Sequence, residues 1–481
     1  MDLIFGSQPN FISNSLSLPN NAIFHSFFSF SQADSFYKLN KFNISINTHF
    51  MTNTDHANVD NNAEFYSPGT SSRLISARLS YFSPWIIIEL EPFSISHSGL
   101  FSQMPVAGTY QLTNNHVNDI ITKNTNMGFR QSRIILHYNG IGIGYGQMSH
   151  WWGPGFHSAL ALSSNAPSQE TYSLGTFKDI NLGKFSVGAQ IIAMPYNSSS
   201  DVQLYFSGLR AHLTYRSNPI ITVGFHRTYL SGDFGNLLST TNAADSWTLK
   251  DAISLVIEPL FGQDKRNLDY TIPMTPGFDA WDEVLTGYVK LTFPDENLEI
   301  YADVASDDNR GNLIDLKAHW DHTLGYQLGF KKFTRFRGFS FFTGAEFLTT
   351  RVSNTFKPSF YRGSPNTTNY YSKAPYDYFT YQGRRMGAHS GSSSNDLIFI
   401  FGFGNETSIT FVSWNKEHHG IKSMQHPEIK TELALTYHHT IYKHHSAFIT
   451  LEYEKIRNYG FIQGEISESK LLWFGYSFSL H

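Results

Sequence analysis

The sequence predicts an all-β protein, a single large antiparallel transmembrane β-barrel of a Gram-negative outer membrane, and three observations predict it. Charged residues make up only 15% of the 481 residues, whereas aromatics reach 16%, with 41 Phe and 26 Tyr; ordinary soluble domains carry about 25% charge. Mean hydropathy is nevertheless slightly negative, as expected when one face of every element meets lipid and the other meets water. Apolar and polar residues also alternate in segment after segment, and successive side chains of a strand point to opposite faces. Finally, no run of about 18 apolar residues encodes a transmembrane helix; the densest stretch, Trp85-Ile86-Ile87-Ile88-Glu89-Leu90, breaks at Glu89.

In chain order, the first clear strand sets Phe42, Ile44 and Ile46 against Asn43, Ser45 and Asn47. Tyr205, Leu209, Ala211, Leu213 and Tyr215 then oppose Arg210, His212 and Thr214. Leu285, Val289, Leu291 and Phe293 oppose Thr286, Tyr288, Lys290 and Thr292, and Leu298, Ile300, Ala302 and Val304 oppose Glu299, Tyr301 and Asp303. Further along, Leu324, Tyr326, Leu328 and Phe330 alternate with Gly325, Gln327, Gly329 and Lys331. Leu433, Leu435, Tyr437 and Ile441 alternate with Ala434, Thr436, His438 and Thr440, and Ala447, Ile449, Leu451 and Tyr453 form the neighbouring strand. A soluble all-β protein would alternate too, but its surface would need more charge. A barrel takes an even strand number, here roughly 16–18. Aromatic pairs at run ends, Phe341-Phe342 and Tyr370-Tyr371, are expected in an interfacial girdle.

The last segment alternates Leu472, Phe474, Tyr476, Phe478 and Leu480 with Trp473, Gly475, Ser477 and Ser479. It resembles the closing strand that barrel-assembly machinery reads, although His481 follows where an aromatic is usual. Long polar stretches, roughly 103–126, 231–282, 353–395 and 415–428, are expected as extracellular or plug loops. The reading divides the chain into an N-terminal segment, 1–40, that is periplasmic or a first strand, and a barrel, 41–481. Residues 1–6 lack a basic secretory n-region, so the chain is expected to be mature or to lack its true start. Cysteine is absent, which excludes disulfides and Cys-ligated zinc. The net charge of −4 gives no basic field for nucleic acid.

The most distinctive motif is Gly144-Tyr145-Gly146-Gln147-Met148-Ser149-His150-Trp151-Trp152-Gly153-Pro154-Gly155-Phe156, followed by what reads as an apolar strand reaching Asn165-Ala166. With Tyr378-Phe379-Thr380-Tyr381-Gln382-Gly383-Arg384-Arg385-Met386-Gly387 and the terminal Tyr476–Leu480 strand, it resembles the Wzi family of capsule-assembly proteins from about residue 40 onward. Arg385-Met386 stands where that family commonly has Pro-Leu, and no amphipathic helix is evident before Phe42. The resemblance implies an outer-membrane barrel that binds capsular or exopolysaccharide, without catalysis.

Gly153, Pro154 and Gly155 predict a structural turn. Beside it, Trp151 and Trp152 could offer indole faces to pyranose rings or could pack against the barrel wall; the residues alone leave both open. Tyr371, Tyr376, Tyr378, Tyr381, Arg384, Arg385 and His389 combine aromatic faces with guanidinium groups suited to an acidic polysaccharide; an interfacial belt with Arg lining the lumen or meeting lipopolysaccharide is the alternative. Asp279, Asp282 and Glu283 around Trp281 read as a solvated loop. Asp303, Asp307, Asp308 and Asn309 miss the calcium-loop spacing and read as a polar turn. The pairs His418-His419, His438-His439 and His444-His445 put one imidazole per strand face, so no metal and no cofactor is expected. No catalytic motif of the serine-hydrolase, phosphate-loop or zinc-protease kind occurs.

The expected partners are polysaccharide, outer-membrane lipid, lipopolysaccharide and barrel-assembly machinery, the chain being a monomer that binds no nucleic acid. Polysaccharide attachment is the first functional reading. A diffusion porin or substrate channel is the alternative, and a barrel-embedded hydrolase has nothing beyond abundant Ser and His to support it.

Overall fold

In the computed structural model the described residues are 42–98 (apart from 57, 59, 68 and 69), 125–197, 203–232, 281–307, 324–351, 371, 379–381, 384–405, 407–422, 424–442 and 444–480. The N-terminal segment, Tyr376, Tyr378, Asp279, Asp308 and Asn309 lie outside them. Eighteen strands follow one another as β1 (Phe42–Asn53), β2 (Ser71–Phe82), β3 (Ile86–Leu90 and Pro92–His97), β4 (Thr125–Phe129 and Ser132–Tyr138), β5 (Ile141–Met148), β6 (Gln169–Thr176 and Ile180–Leu182), β7 (Phe185–Asn197), β8 (Gln203–Tyr215) and β9 (Ile220–Gly232). The second half comprises β10 (Trp281–Phe293), β11 (Leu298–Asp307), β12 (Leu324–Phe336), β13 (Phe339–Thr349), β14 (Asn395–Gly404), β15 (Ser408–His419), β16 (Glu428–Tyr442), β17 (His445–Arg457) and β18 (Ile466–Leu480). Each strand pairs antiparallel with its sequence neighbour. The ring closes where β18 pairs with β1, Leu480 opposite Ile44 and Leu471 opposite Asn53. Closure leaves no open edge, which is what a sheet needs in lipid.

The period-two pattern sorts the side chains as predicted. Phe42, Ile44, Leu328, Phe401, Leu435 and Leu451 stand exposed on the outer surface, while Asn47, Thr286, Gln327, Thr436 and Glu454 are buried inside. An apolar exterior around a polar interior is the arrangement of a transmembrane barrel. Some inward positions carry aromatics seated over a glycine of the next strand: a Cβ on Gly329 would fall 2.3 Å from the Tyr301 hydroxyl, and one on Gly224 would fall 2.0 Å from the Tyr288 ring. Those glycines let the rings lie flat against the wall.

The connections differ sharply between the two ends. At one end they are tight turns such as Asn139-Gly140 and Arg337-Gly338, in which both residues have positive φ, the backbone of a two-residue type I′ hairpin. At the other end the strands are separated by longer stretches of sequence, of which 149–168 and parts of 54–70 and 350–394 are described, so this is the extracellular end by the usual asymmetry.

Several sequence expectations need correction. The polar stretch 415–428 begins in strand and not in a loop: Asn415, Glu417 and His419 are buried lumen-facing residues of β15, polar because the lumen is. Asp303 and Asp307 also sit within a strand, buried on its inner face, instead of in a turn. Glu283 belongs to β10 and is buried, so it is no solvated loop residue. Tyr371 and Phe342 are buried inside the barrel and take no part in an outer girdle. That role falls to Trp85 and Tyr138, stacked 5.2 Å apart at the tight-turn end.

Candidate functional site

The described parts of three connections from the extracellular end turn inward and pack into a plug: those within 54–67, 149–168, and those within 379–394 with Tyr371. Their apolar residues explain why. Trp152, Leu160, Ala161, Leu162, Tyr371, Phe379, Met386 and Ala388 form one buried cluster with Ile192, Met194, Phe206, Val284 and Leu348 of the wall. These residues all face inward, and burying them against one another drives the segments in.

The Trp-Trp-Gly-Pro-Gly turn is fixed by its own backbone. The Trp151 indole donates to the Gly155 carbonyl at 2.9 Å, and Trp152 N–H donates to the Leu162 carbonyl at 2.8 Å. The Trp152 ring lies 5.6 Å from the Arg210 guanidinium and 5.7 Å from the His226 ring. Gly155 has no room for a side chain, since a Cβ there would fall 2.1 Å from Gln327 Nε2. Just beyond it, the N–H groups of Phe156, His157 and Ser158 donate to the Glu346 carboxylate at 2.7, 3.3 and 2.8 Å. Gln327 and the Tyr301 hydroxyl donate to the same carboxylate. One wall residue of β13 thus holds three consecutive amides of the plug.

The third segment is tied to the second. Asn165 donates to the Arg385 carbonyl at 3.0 Å, Ser163 N–H to the Met386 carbonyl at 2.7 Å, and the Tyr371 hydroxyl to the Leu160 carbonyl. Arg384 lies 4.3 Å over the Tyr66 ring and Arg385 lies 5.8 Å from the Tyr371 ring. Trp151, Trp152, Tyr371, Arg384, Arg385 and His389 are all buried, at 8% exposure or less. Tyr381 is only partly so. The structure thus brings most of the predicted residues together, but beneath the mouth of the barrel, not on its outer surface.

A dense polar cluster joins the first segment to β14–β17. Lys430 contacts Asp60, and lies 3.0 Å from Glu417, 3.2 Å from Glu454 and 3.6 Å from Glu432. Asn58 donates to Glu452, and His56 pairs with Glu454. Asp60 is held below the ordinary carboxylate range: burial pushes it up, and the Lys430 ammonium outweighs this. His157 and His389 meet edge to face at 4.6 Å beside Asp396. Burial pushes His157 down, but Asp396, Glu346 and Glu417 together raise it to about 9. A cavity of about 60 Å³ lies alongside, lined by Asn58, Asn61, Glu417, Glu432 and Trp473 among others.

Sequence reasoning missed Asn61, Glu346, Asp396, Glu417 and Lys430. Each wall residue among them stands at an inward position of its strand, so charge on the polar face of a lipid-spanning pattern was the available signal.

A family model, capsule assembly protein Wzi, matches residues 89–468. Among solved structures, the chain is similar to one described as Wzi, an outer membrane protein involved in group 1 capsule assembly in Escherichia coli and a carbohydrate-binding β-barrel. Identity is 12% and the TM-score 0.60, over 97% of this chain and 92% of that one. The outer membrane protein opdK of Pseudomonas aeruginosa aligns at 7% identity and TM-score 0.45, over 92% of this chain and 99% of that one. No curated protein sequence matches.

Proposed function

The chain belongs to the capsule assembly protein Wzi family, and from that membership we propose that it is an integral outer-membrane protein that binds capsular or exopolysaccharide and holds it at the cell surface. Binding is its task, and it carries out no reaction. The observation that supports this beyond the family is the plug: the described parts of three connections pack into the lumen against the wall. A barrel with segments packed into its lumen suits retention of a polymer better than passage of a solute.

On this reading Trp151, Trp152, Tyr371, Arg384, Arg385 and His389 support the polysaccharide site from below by fixing the plug, and the partly buried Tyr381 and Tyr378 belong to the same proposal. Residues 1–40 form a segment separate from the 41–481 barrel. The apolar belt meets lipid and lipopolysaccharide, β18 is what assembly machinery reads, and the barrel works as a monomer without nucleic acid or cofactor.

The test is binding of detergent-purified protein to the producing cell's own surface polysaccharide, with a planar-bilayer trace in parallel. Binding with a silent bilayer is expected. Steady conductance without binding would mean that the barrel is a channel. Replacing Trp151 and Trp152 together with Ala should weaken binding and raise conductance; weaker binding with the bilayer still silent would instead assign the indoles to direct sugar contact.

A further inference from the structure

We propose that His157, His389 and Asp396 form a binding site for one divalent first-row transition-metal ion, which clamps two plug segments to the barrel wall. The three side chains come from three places: the turn after Trp-Trp-Gly-Pro-Gly, the segment after Arg384-Arg385, and β14. His157 Nε2 lies 3.2 Å and His389 Nε2 3.3 Å from the same oxygen, Asp396 Oδ2, and one ligand atom from each residue lies within 4.8 Å of the others. Ligand atoms at about 2.0–2.2 Å from a tetrahedral Zn²⁺ are themselves about 3.3–3.5 Å apart. Both nitrogen–oxygen separations fit two imidazoles and a carboxylate sharing one ion.

Hydrogen bonding accounts for the arrangement only in part: the Asn415 amide lies 3.1 Å from His157 Nε2 and donates to it, a bond that an ion would replace. The His389 and Asp396 side chains are 0% and 1% exposed, yet neither His389 Nε2 nor Asp396 Oδ2 makes a hydrogen bond. Buried polar atoms are rarely left so. Glu417 Oε1, 3.8 Å from His389 Nε2, flanks the open side. Two other acidic groups, Asp60-His389-Glu417 and Asp60-Glu432-Glu454, already hold the Lys430 ammonium and are weaker candidates. The donor set of two nitrogens and one oxygen selects a borderline ion such as Zn²⁺ over Mg²⁺ or Ca²⁺, which take oxygen ligands. A metal on Nε2 leaves the His389 proton on Nδ1. The Asn61 amide, 3.1 Å away, must then turn its buried, unpartnered oxygen towards it, giving up its bond to the His157 carbonyl.

The experiment uses tag-free protein in detergent, stripped with chelator and titrated with Co²⁺ while visible absorption is followed. A saturable signal at about one ion per chain, reversed by Zn²⁺, is expected. His157→Gln, His389→Gln and Asp396→Asn should each lose about tenfold or more in affinity, whereas His418→Gln, in β15 outside the cluster, should not. Absence of a saturable signal, or equal affinity in the ligand variants, overturns the proposal. Should the variants fail to give the heat-modifiable band of a folded barrel, the wild type decides. Chelation should speed amide exchange across residues 155–158 and 387–391, and Zn²⁺ should restore it; exchange indifferent to both overturns the site.

Discussion

Glu346→Ala is the sharpest perturbation of the plug. The carboxylate accepts three consecutive backbone N–H groups as well as Gln327 and Tyr301. Truncation leaves those amides buried with nothing in reach, at about 1–3 kcal/mol for each orphaned donor. Water entering the gap and local relaxation recover part of that, so the expected loss is about 3–5 kcal/mol, borne by the plug and not by the strand ladder. At about 1.4 kcal/mol per tenfold, opening of the segment becomes roughly 10²–10⁴ more frequent. Hydrogen–deuterium exchange read by mass spectrometry on a peptide spanning residues 153–163 measures it directly, with a peptide from β7 as the internal standard. Glu346→Gln, which keeps one acceptor oxygen but no charge, should fall between. If the alanine variant folds and exchanges within about threefold of the wild type in that peptide, the carboxylate does not hold the segment and the reasoning fails.

Gly155→Ala should also unseat the plug, because its Cβ would collide with Gln327 and with the Ser158 carbonyl 2.3 Å away; conductance bursts in a planar bilayer would report it, and a trace as quiet as wild type would refute the clash. Lys430→Met leaves four carboxylates facing one another and should cost about 3–5 kcal/mol, measured as an earlier guanidinium midpoint for unfolding from detergent. Leu435→Arg, on the outer face halfway along β16, should destabilise the barrel in lipid by about 2–4 kcal/mol. In that case an unchanged midpoint in liposomes would place the position away from the bilayer centre.

The wall was legible in the sequence because lipid imposes a strict rule: Leu433, Leu435 and Tyr437 must alternate with residues that tolerate water, and only one register satisfies both. The same rule hid part of the chain. Asn415 to His419 look like a loop when polarity alone is counted, yet three of the five point into a polar lumen and the strand continues. The plug obeys no such period. Trp151, Tyr371 and Arg385 were visible as unusual residues, but their destination depends on contacts across long sequence separations, such as Tyr371 with Leu160 or Asn61 with His389. Nothing local distinguishes an arginine stacked on a buried tyrosine from one that meets a ligand.

The anchoring of the first inward segment has a consequence for how the molecule is made. Asn58 and Asp60 lie near the start of the described chain, but Glu452 and Lys430, to which they bind, are almost four hundred residues later. A chain synthesised from its N-terminus must therefore cross to the membrane with its early acidic and amide groups hydrated, and it cannot seat them until β16 and β17 have arrived. The first inward segment is therefore seated late, after the strands that hold the other two are already in the chain. A barrel halted before those strands would hold that segment without the ammonium and carboxylate that seat it.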